Sequence, residues 1–192
     1  MKKLLYIDSC IRNELSRTKR IATPIIEKLK ERYEVETITI NDLDLTPVQY
    51  EENRRRAGGT VSEEAICWAN KIKNADRIVV AAPFWDMSIP AALKTFFELC
   101  SLFGVTFDSD DKTCFGLCKA ENFMFITTRG MKIETGDALE QATSYLKALA
   151  WLWGIKGFEV VARCNFDYLP QEEIEKEIAS AIDEGLELAE KF

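Results

Sequence analysis

The apolar run at residues 78–82, Ile-Val-Val-Ala-Ala, constrains the fold of this chain more than any other stretch. It is rich in β-branched residues and has no alternating polar positions, which is typical of a strand buried on both faces of a parallel sheet. A loop of large side chains follows at residues 83–87. Ser88 and Pro90 then provide an N-cap and an early helical proline for a helix expected to end near Gly104. The pattern predicts a central strand with an aromatic loop at its carboxyl end.

Similar apolar runs recur along the chain and alternate with segments of helical periodicity. Strands are expected at residues 3–8, 35–40, 78–82, 122–127 and 158–162, and helices around residues 21–29, 62–73, 88–104 and 136–153 and from residue 170 onward. Such alternation favours a parallel sheet with right-handed crossovers. The sequence therefore predicts a single α/β domain over residues 1–192, with a doubly wound five-stranded parallel sheet in the order 2-1-3-4-5 and helices on both faces.

Two longer excursions interrupt this alternation. Residues 41–60 contain Pro47 and paired glycines, with a local helix expected at residues 50–56. Residues 105–119 favour a hairpin that turns at residues 108–111. Long loops of this kind are often functional, and both could cover a substrate pocket.

The composition excludes several classes of protein. Of the 192 residues, 47% are hydrophobic and 30% are charged, which is an ordinary globular profile. A net charge of −7 argues against a nucleic-acid-binding surface, and the arginines at residues 54–56 are expected to be solvated. No apolar run approaches the roughly 20 residues that span a bilayer, and the amino terminus turns polar too early for a signal peptide. We therefore expect a cytoplasmic protein without a nucleic-acid or membrane partner.

Histidine is absent from the sequence, and the six cysteines are scattered. We expect reduced cysteines and no metal site, because Cys114 and Cys118 lack further ligands nearby. Without an imidazole, Ser-His-Asp and Cys-His nucleophile systems and the usual catalytic zinc sites are excluded. If the chain is an enzyme, a cofactor is expected to carry its reactive chemistry.

The predicted strand order brings three loops together where the first and third strands diverge. The first loop lacks the glycine patterns of dinucleotide and nucleoside triphosphate sites. It offers Ser9, Ser16 and Thr18 at a helix start, where free backbone N–H groups favour a phosphate monoester, with Arg12 or Arg17 as extra charge. The alternative is that Ser16 only caps the helix.

The second loop, residues 84–87, and the third, residues 128–131, suit a flat, partly apolar ring. Phe84 and Trp85 can form an aromatic wall, and Arg129-Gly130 permits close approach of the backbone. A phosphate on the first loop and a ring between the other two predict a flavin mononucleotide site. The alternative is that the two aromatic residues fill the core.

The chain also resembles flavodoxin-like, FMN-dependent NAD(P)H oxidoreductases, the family of bacterial azoreductases and NAD(P)H quinone reductases. The resemblance covers nearly the whole chain and is most specific at residues 81–90, Leu93, Lys94, Phe97 and residues 104–107 and 126–130. It implies a flavodoxin-like fold, NADH or NADPH as co-substrate, a quinone, azo compound or similar small-molecule acceptor, and a homodimer. It places FMN on Ser9, Ser16, Arg17, Thr18, Pro83, Phe84, Trp85, Asp86, Met87, Thr128, Arg129, Gly130 and Met131.

The second and third loops depart from the family pattern: residues 84–87 are Phe-Trp-Asp-Met where the family usually has Met-Tyr-Asn-Phe, and residues 128–131 are Thr-Arg-Gly-Met where it usually has Ser-Arg-Gly-Gly. Two of these departures bear most on function. Asp86 stands where the family has an amide, and Met131 stands where it has a glycine. A carboxylate near the flavin is expected to lower its redox potential by repelling the charge of the reduced ring. Two other functions remain open on the sequence: a flavodoxin-type electron carrier without nicotinamide activity, and a non-redox phosphate-binding or hydrolytic protein of the same fold.

Overall fold

The computed structural model describes residues 1–48 and 61–192. The helix expected at residues 50–56 and the arginines at residues 54–56 lie outside the described residues. The strands of the described chain are β1 (Lys2–Asp8), β2 (Tyr33–Thr39), β3 (Arg77–Ala81), β4 (Phe107–Ser109), β5 (Cys114–Gly116), β6 (Asn122–Thr128) and β7 (Gly157–Arg163).

Five of these strands form one parallel sheet in the order β2-β1-β3-β6-β7 among the residues described. This is the pattern that the sequence predicts, because β6 and β7 are the fourth and fifth strands of the main sheet. The remaining two strands, β4 and β5, pair antiparallel as a hairpin within the second excursion. Its turn lies at residues 110–113, slightly later than the sequence suggests.

The helices of the described chain are α1 (Arg17–Lys30), α2 (Glu63–Asn74), α3 (Ala91–Cys100), α4 (Gln141–Leu152) and α5 (Gln171–Lys191). Serine side chains cap two of them. Ser16 Oγ accepts a hydrogen bond from Lys19 N at 3.3 Å, and Ser62 Oγ accepts one from Ala65 N at 3.2 Å. Each bond satisfies a backbone donor that has no partner within the helix.

Two helix starts differ from the prediction. Ser88 does not cap α3, because its backbone pairs with Trp85 in a tight turn, and the helix begins at Ala91 after Pro90. The next helix, α4, begins at Gln141 rather than near residue 136, because Glu140 caps it through hydrogen bonds from the N–H groups of the first turn.

Helices cover both faces of the sheet. Alternate residues of β1 point to opposite sides: Leu5 and Ile7 belong to the core layer beneath α2, α3 and α4, whereas Leu4 and Tyr6 belong to the layer beneath α1 and α5. Burial on both faces explains why the strands read as continuous apolar runs. The carboxyl ends of the strands are left free to support loops.

Candidate cofactor site

The carboxyl ends of β1, β3 and β6 lie side by side, with Asp8 paired to Ala81 and Ala81 to Ile126. The loops that follow these strands enclose a cleft of about 230 Å³. Nine of the thirteen residues that the sequence assigns to the site line this cleft: Ser16, Arg17, Thr18, Pro83, Phe84, Trp85, Thr128, Arg129 and Gly130.

The other four assigned residues lie around the cleft. Ser9 and Asp86 line a neighbouring cavity of about 490 Å³, which shares Trp85 with the cleft. Met87 and Met131 are exposed; Met87 O accepts a hydrogen bond from Gln141 N at the start of α4, and Met131 O accepts one from Asn165 N. The structure therefore brings the three loops together and leaves the two methionine side chains at the rim.

The first loop presents hydroxyl groups and free backbone donors at the start of α1. Ser16 caps the helix and also lines the cleft, so its cap role does not exclude a role in the site. Ser9 is buried, and its hydroxyl has no hydrogen-bond partner among the described residues. Thr18 Oγ1 lies 2.7 Å from Thr128 Oγ1, so a hydrogen bond joins the first loop to the third. Arg17 lines the same end of the cleft, which suits a bound anion.

An ion pair between a buried carboxylate and a partly exposed lysine joins the two ends of this loop. Asp8 is 3% exposed, and its Oδ2 lies 3.0 Å from Lys19 Nζ. Its Oδ1 accepts a hydrogen bond from Cys10 N. The hydrogen bond with Asp8 raises the pKa of Lys19. Burial, reinforced by the charge of Asp8, raises the pKa of the Cys10 thiol to about 12, so this thiol is protonated at neutral pH and is a poor nucleophile.

The second loop separates its two aromatic residues. Phe84 is buried, whereas Trp85 is 39% exposed and stands at the cleft. Trp85 and Ser88 exchange two backbone hydrogen bonds of 2.9 and 2.8 Å. Asp86 and Met87 lie between them with φ values of 46° and 67°, as in a type I′ turn. Phe84 therefore belongs to the core and also lines the cleft, whereas Trp85 does not fill the core.

The third loop is built around a buried arginine. Arg129 is 1% exposed; its Nη1 donates to Ile133 O at 3.0 Å, and its Nη2 donates to Thr135 Oγ1 at 2.9 Å. The guanidinium lies 5.6 Å from the centre of the Phe84 ring. Burial lowers the pKa of Arg129, and the nearby charge of Glu140 opposes that shift.

Gly130 leaves space for the side chain of Asp167, a residue that the sequence did not place in the site. A Cβ atom at Gly130 would lie 1.9 Å from Asp167 Oδ2, so only glycine fits while Asp167 keeps this position. Asp167 N donates to Gly130 O, and its carboxylate lies 3.4 Å from Arg17 Nη1. Asp167 also lines the cleft. Nothing local in the sequence marks it, because it follows β7 and meets the site only through the fold.

Across residues 1–48 and 61–192, no group of three or more histidine, cysteine, aspartate or glutamate side chains could hold a metal ion. Within the same ranges, no helix has the length and apolar character needed to cross a membrane.

Comparison with known families identifies the class of fold. A family model described as "Flavodoxin-like fold" matches residues 2–188. The chain therefore belongs to this family, in agreement with the five-stranded parallel sheet and the cleft at its carboxyl edge.

Individual proteins similar to this chain include quinone oxidoreductases and azoreductases. The chain is 28% identical over 200 residues to the "FMN-dependent NADH:quinone oxidoreductase" of Clostridium perfringens strain ATCC 13124, and the match covers all of both chains. The structure of an azoreductase from Bacillus anthracis str. Sterne superimposes with a TM-score of 0.86 at 22% identity over all of both chains. The structure of an FMN-dependent NADH-azoreductase from Bacillus anthracis str. Ames Ancestor in complex with FMN superimposes with a TM-score of 0.84 at 20% identity. That match covers 100% of this chain and 99% of the azoreductase chain.

Proposed function

We propose that this chain is an FMN-dependent oxidoreductase that passes two electrons from NADH to a quinone, an azo compound or a similar acceptor. The observation that carries the proposal is the convergence of the three loops on one cleft, with nine of the assigned residues along it. The names of the similar proteins, NADH:quinone oxidoreductase and NADH-azoreductase, support the same activity.

The residues around the cleft fit FMN. The phosphate would lie at the start of α1, where Ser16 and Thr18 line the cleft and Arg17 supplies positive charge. Ser9, with its unpartnered hydroxyl, would approach the same group from the neighbouring cavity. The flavin ring would lie between the second and third loops, against Trp85 and the backbone near Gly130. Asp86, Met87, Thr128, Arg129 and Met131 complete the proposed site with Ser16, Thr18, Pro83 and Phe84.

The protein contributes position and environment to the reaction rather than an acid or a base. When bound, FMN would supply the chemistry of accepting a hydride and then donating two electrons. Trp85 would shield one part of the ring from water, and the turn at Asp86 and Met87 would hold backbone groups at its edge. The hydrogen bond between Thr18 and Thr128 would keep the phosphate loop and the ring loop at a fixed separation.

We also propose that the protein is a homodimer in which a second copy covers the ring. Large apolar side chains are exposed close to the cleft or in the loops beside it: Ile11, Leu15, Trp85, Met87, Met131 and Leu139. A second copy would remove this apolar surface from water. Trp151 is 65% exposed and could add to such an interface, whereas Trp153 is fully buried in the core.

A single domain over residues 1–192 and a cytoplasmic location stay predictions.

The spectrum of the FMN-loaded protein tests the function. The protein is mixed with FMN, freed of excess and treated without oxygen first with NADH and then with a quinone. Loss of the flavin absorbance with NADH and its return with the quinone would support the oxidoreductase. Bound FMN that does not react with either NADH or NADPH would favour an electron carrier. Failure to retain FMN would contradict both functions.

A further inference from the structure

Two buried side chains of opposite charge lie beside the cleft. Arg129 is 1% exposed, Glu140 is 2% exposed, and Arg129 Nη2 lies 3.7 Å from Glu140 Oε1. Such pairs stabilise a protein only when further hydrogen bonds satisfy both partners. Here Arg129 Nε and Glu140 Oε2 have no hydrogen-bond partner within the described part of the chain. The pair is therefore only partly satisfied by the hydrogen bonds of the described chain.

The same pair connects the two loops that would hold the flavin ring. Glu140 Oε1 accepts hydrogen bonds from Ala142 N and Thr143 N at 3.0 and 2.9 Å, which fixes Glu140 to the start of α4. The adjacent Gln141 N donates to Met87 O of the second loop at 3.0 Å. Glu140 therefore has a rigid position from which it can hold the guanidinium.

The two charges are not equivalent with respect to the cleft. Arg129 belongs to the described residues that line it, and Glu140 does not. The guanidinium also packs over the ring of Phe84, which lines the cleft. Arg129 therefore contributes a buried positive charge to the wall of the proposed flavin site, whereas Glu140 is not among the residues of that wall.

We propose that Glu140 is a positioning residue that acts through Arg129 to set the redox potential of the flavin in this cleft. The inference rests on the proposed function. Reduction adds negative charge to a flavin, and a fixed cation in a poorly solvated site stabilises that charge. Arg129 raises the potential, while Glu140 holds Arg129 in place and partly offsets its charge.

The midpoint potential of the FMN-loaded protein tests this role. Glu140→Gln keeps a carbonyl oxygen for the helix cap and removes the negative charge. This variant should bind reduced FMN, relative to oxidised FMN, about tenfold more favourably than the wild type does. That ratio corresponds to a rise in midpoint potential of about 30 mV for a two-electron couple. Glu140→Asp keeps both the charge and the cap and should stay close to the wild type. Glu64→Gln, at an exposed carboxylate in the first turn of α2, is the matched control and should leave the potential unchanged.

The double variant Arg129→Gln/Glu140→Gln should shift the midpoint potential in the opposite direction. It removes both charges, so it leaves no unpaired buried charge to unfold the protein. Its potential should fall below that of the wild type. A purely structural role would weaken binding of oxidised and reduced FMN equally, so unchanged potentials in both variants, or shifts of the same sign, would overturn the inference. Wild-type protein that does not bind FMN would instead overturn the proposed function, and with it this inference.

Discussion

Lys19 Nζ lies 3.0 Å from Asp8 Oδ2, so an ion pair joins the first turn of α1 to the last residue of β1. The residues between them form the loop that would bind the FMN phosphate. Asp8 is almost fully buried, and its negative charge would oppose a phosphate nearby if Lys19 did not neutralise it.

Lys19→Met is therefore expected to destabilise the protein by about 1–3 kcal/mol and to weaken FMN binding, because it leaves the buried Asp8 unpaired. Lys30→Met is the control, since it removes an exposed pair with Glu27 on the same helix and should cost less than about 1 kcal/mol. Urea unfolding and FMN titration measure the two effects. Equal losses in both variants would contradict the role assigned to the pair.

The same ion pair predicts a pH dependence. The pKa of Lys19 is raised above its ordinary value of 10.5 in the folded protein, so its contribution to stability is fully present below that pH. The contribution is lost as the pH rises through the raised pKa. The difference in unfolding free energy between the wild type and Lys19→Met should therefore be constant from pH 7 to about 9 and shrink at higher pH, where urea unfolding can follow it. A difference that grows with pH would show that the pair does not stabilise the fold in this way.

Phe84 and Trp85 are adjacent in sequence but should respond in opposite ways to truncation. Phe84→Ala should destabilise the protein by about 3–5 kcal/mol, because it empties a buried position. Trp85→Ala should cost much less stability and should weaken FMN binding, since the exposed ring lines the cleft. Thermal unfolding without FMN and fluorescence titration with FMN separate the two. Normal FMN affinity in Trp85→Ala would exclude Trp85 as the wall of the site.

Gly130→Ala is expected to displace the Asp167 carboxylate, because the added methyl group would occupy its position. The displaced Asp167 would release Arg17, so FMN affinity should change while stability falls by about 1–3 kcal/mol. In a background that already carries Asp167→Ala, the added methyl group should cost much less stability. A double-mutant cycle measures this coupling, and additive losses would show that the clash is relieved elsewhere.

Asp86→Asn tests the departure from the family pattern. Asp86 has a positive φ of 46°, a conformation that asparagine also tolerates, so the turn should be retained. If the carboxylate repels the charge of the reduced ring, the amide should raise the midpoint potential of bound FMN. Spectral redox titration of both proteins checks this, and equal potentials would refute the effect.

The sequence by itself determined the order of the sheet and the three loops of the site. Apolar runs such as residues 78–82 report burial on both faces, and burial is a local property of a strand. The rule that ligands bind where neighbouring strands diverge then placed Ser16, Phe84 and Arg129 around one cleft, as the structure does.

The tertiary structure alone decided which side chains support the site. Arg17 meets Asp167 across 150 positions of sequence, and that contact depends on how β7 and α1 pack, which no local pattern records. Glu140 could have been found as a helix cap, but not as the partner of buried Arg129. Periodicity encodes which residues are buried, whereas the pairing of polar groups depends on distances that exist only after the helices dock on the sheet.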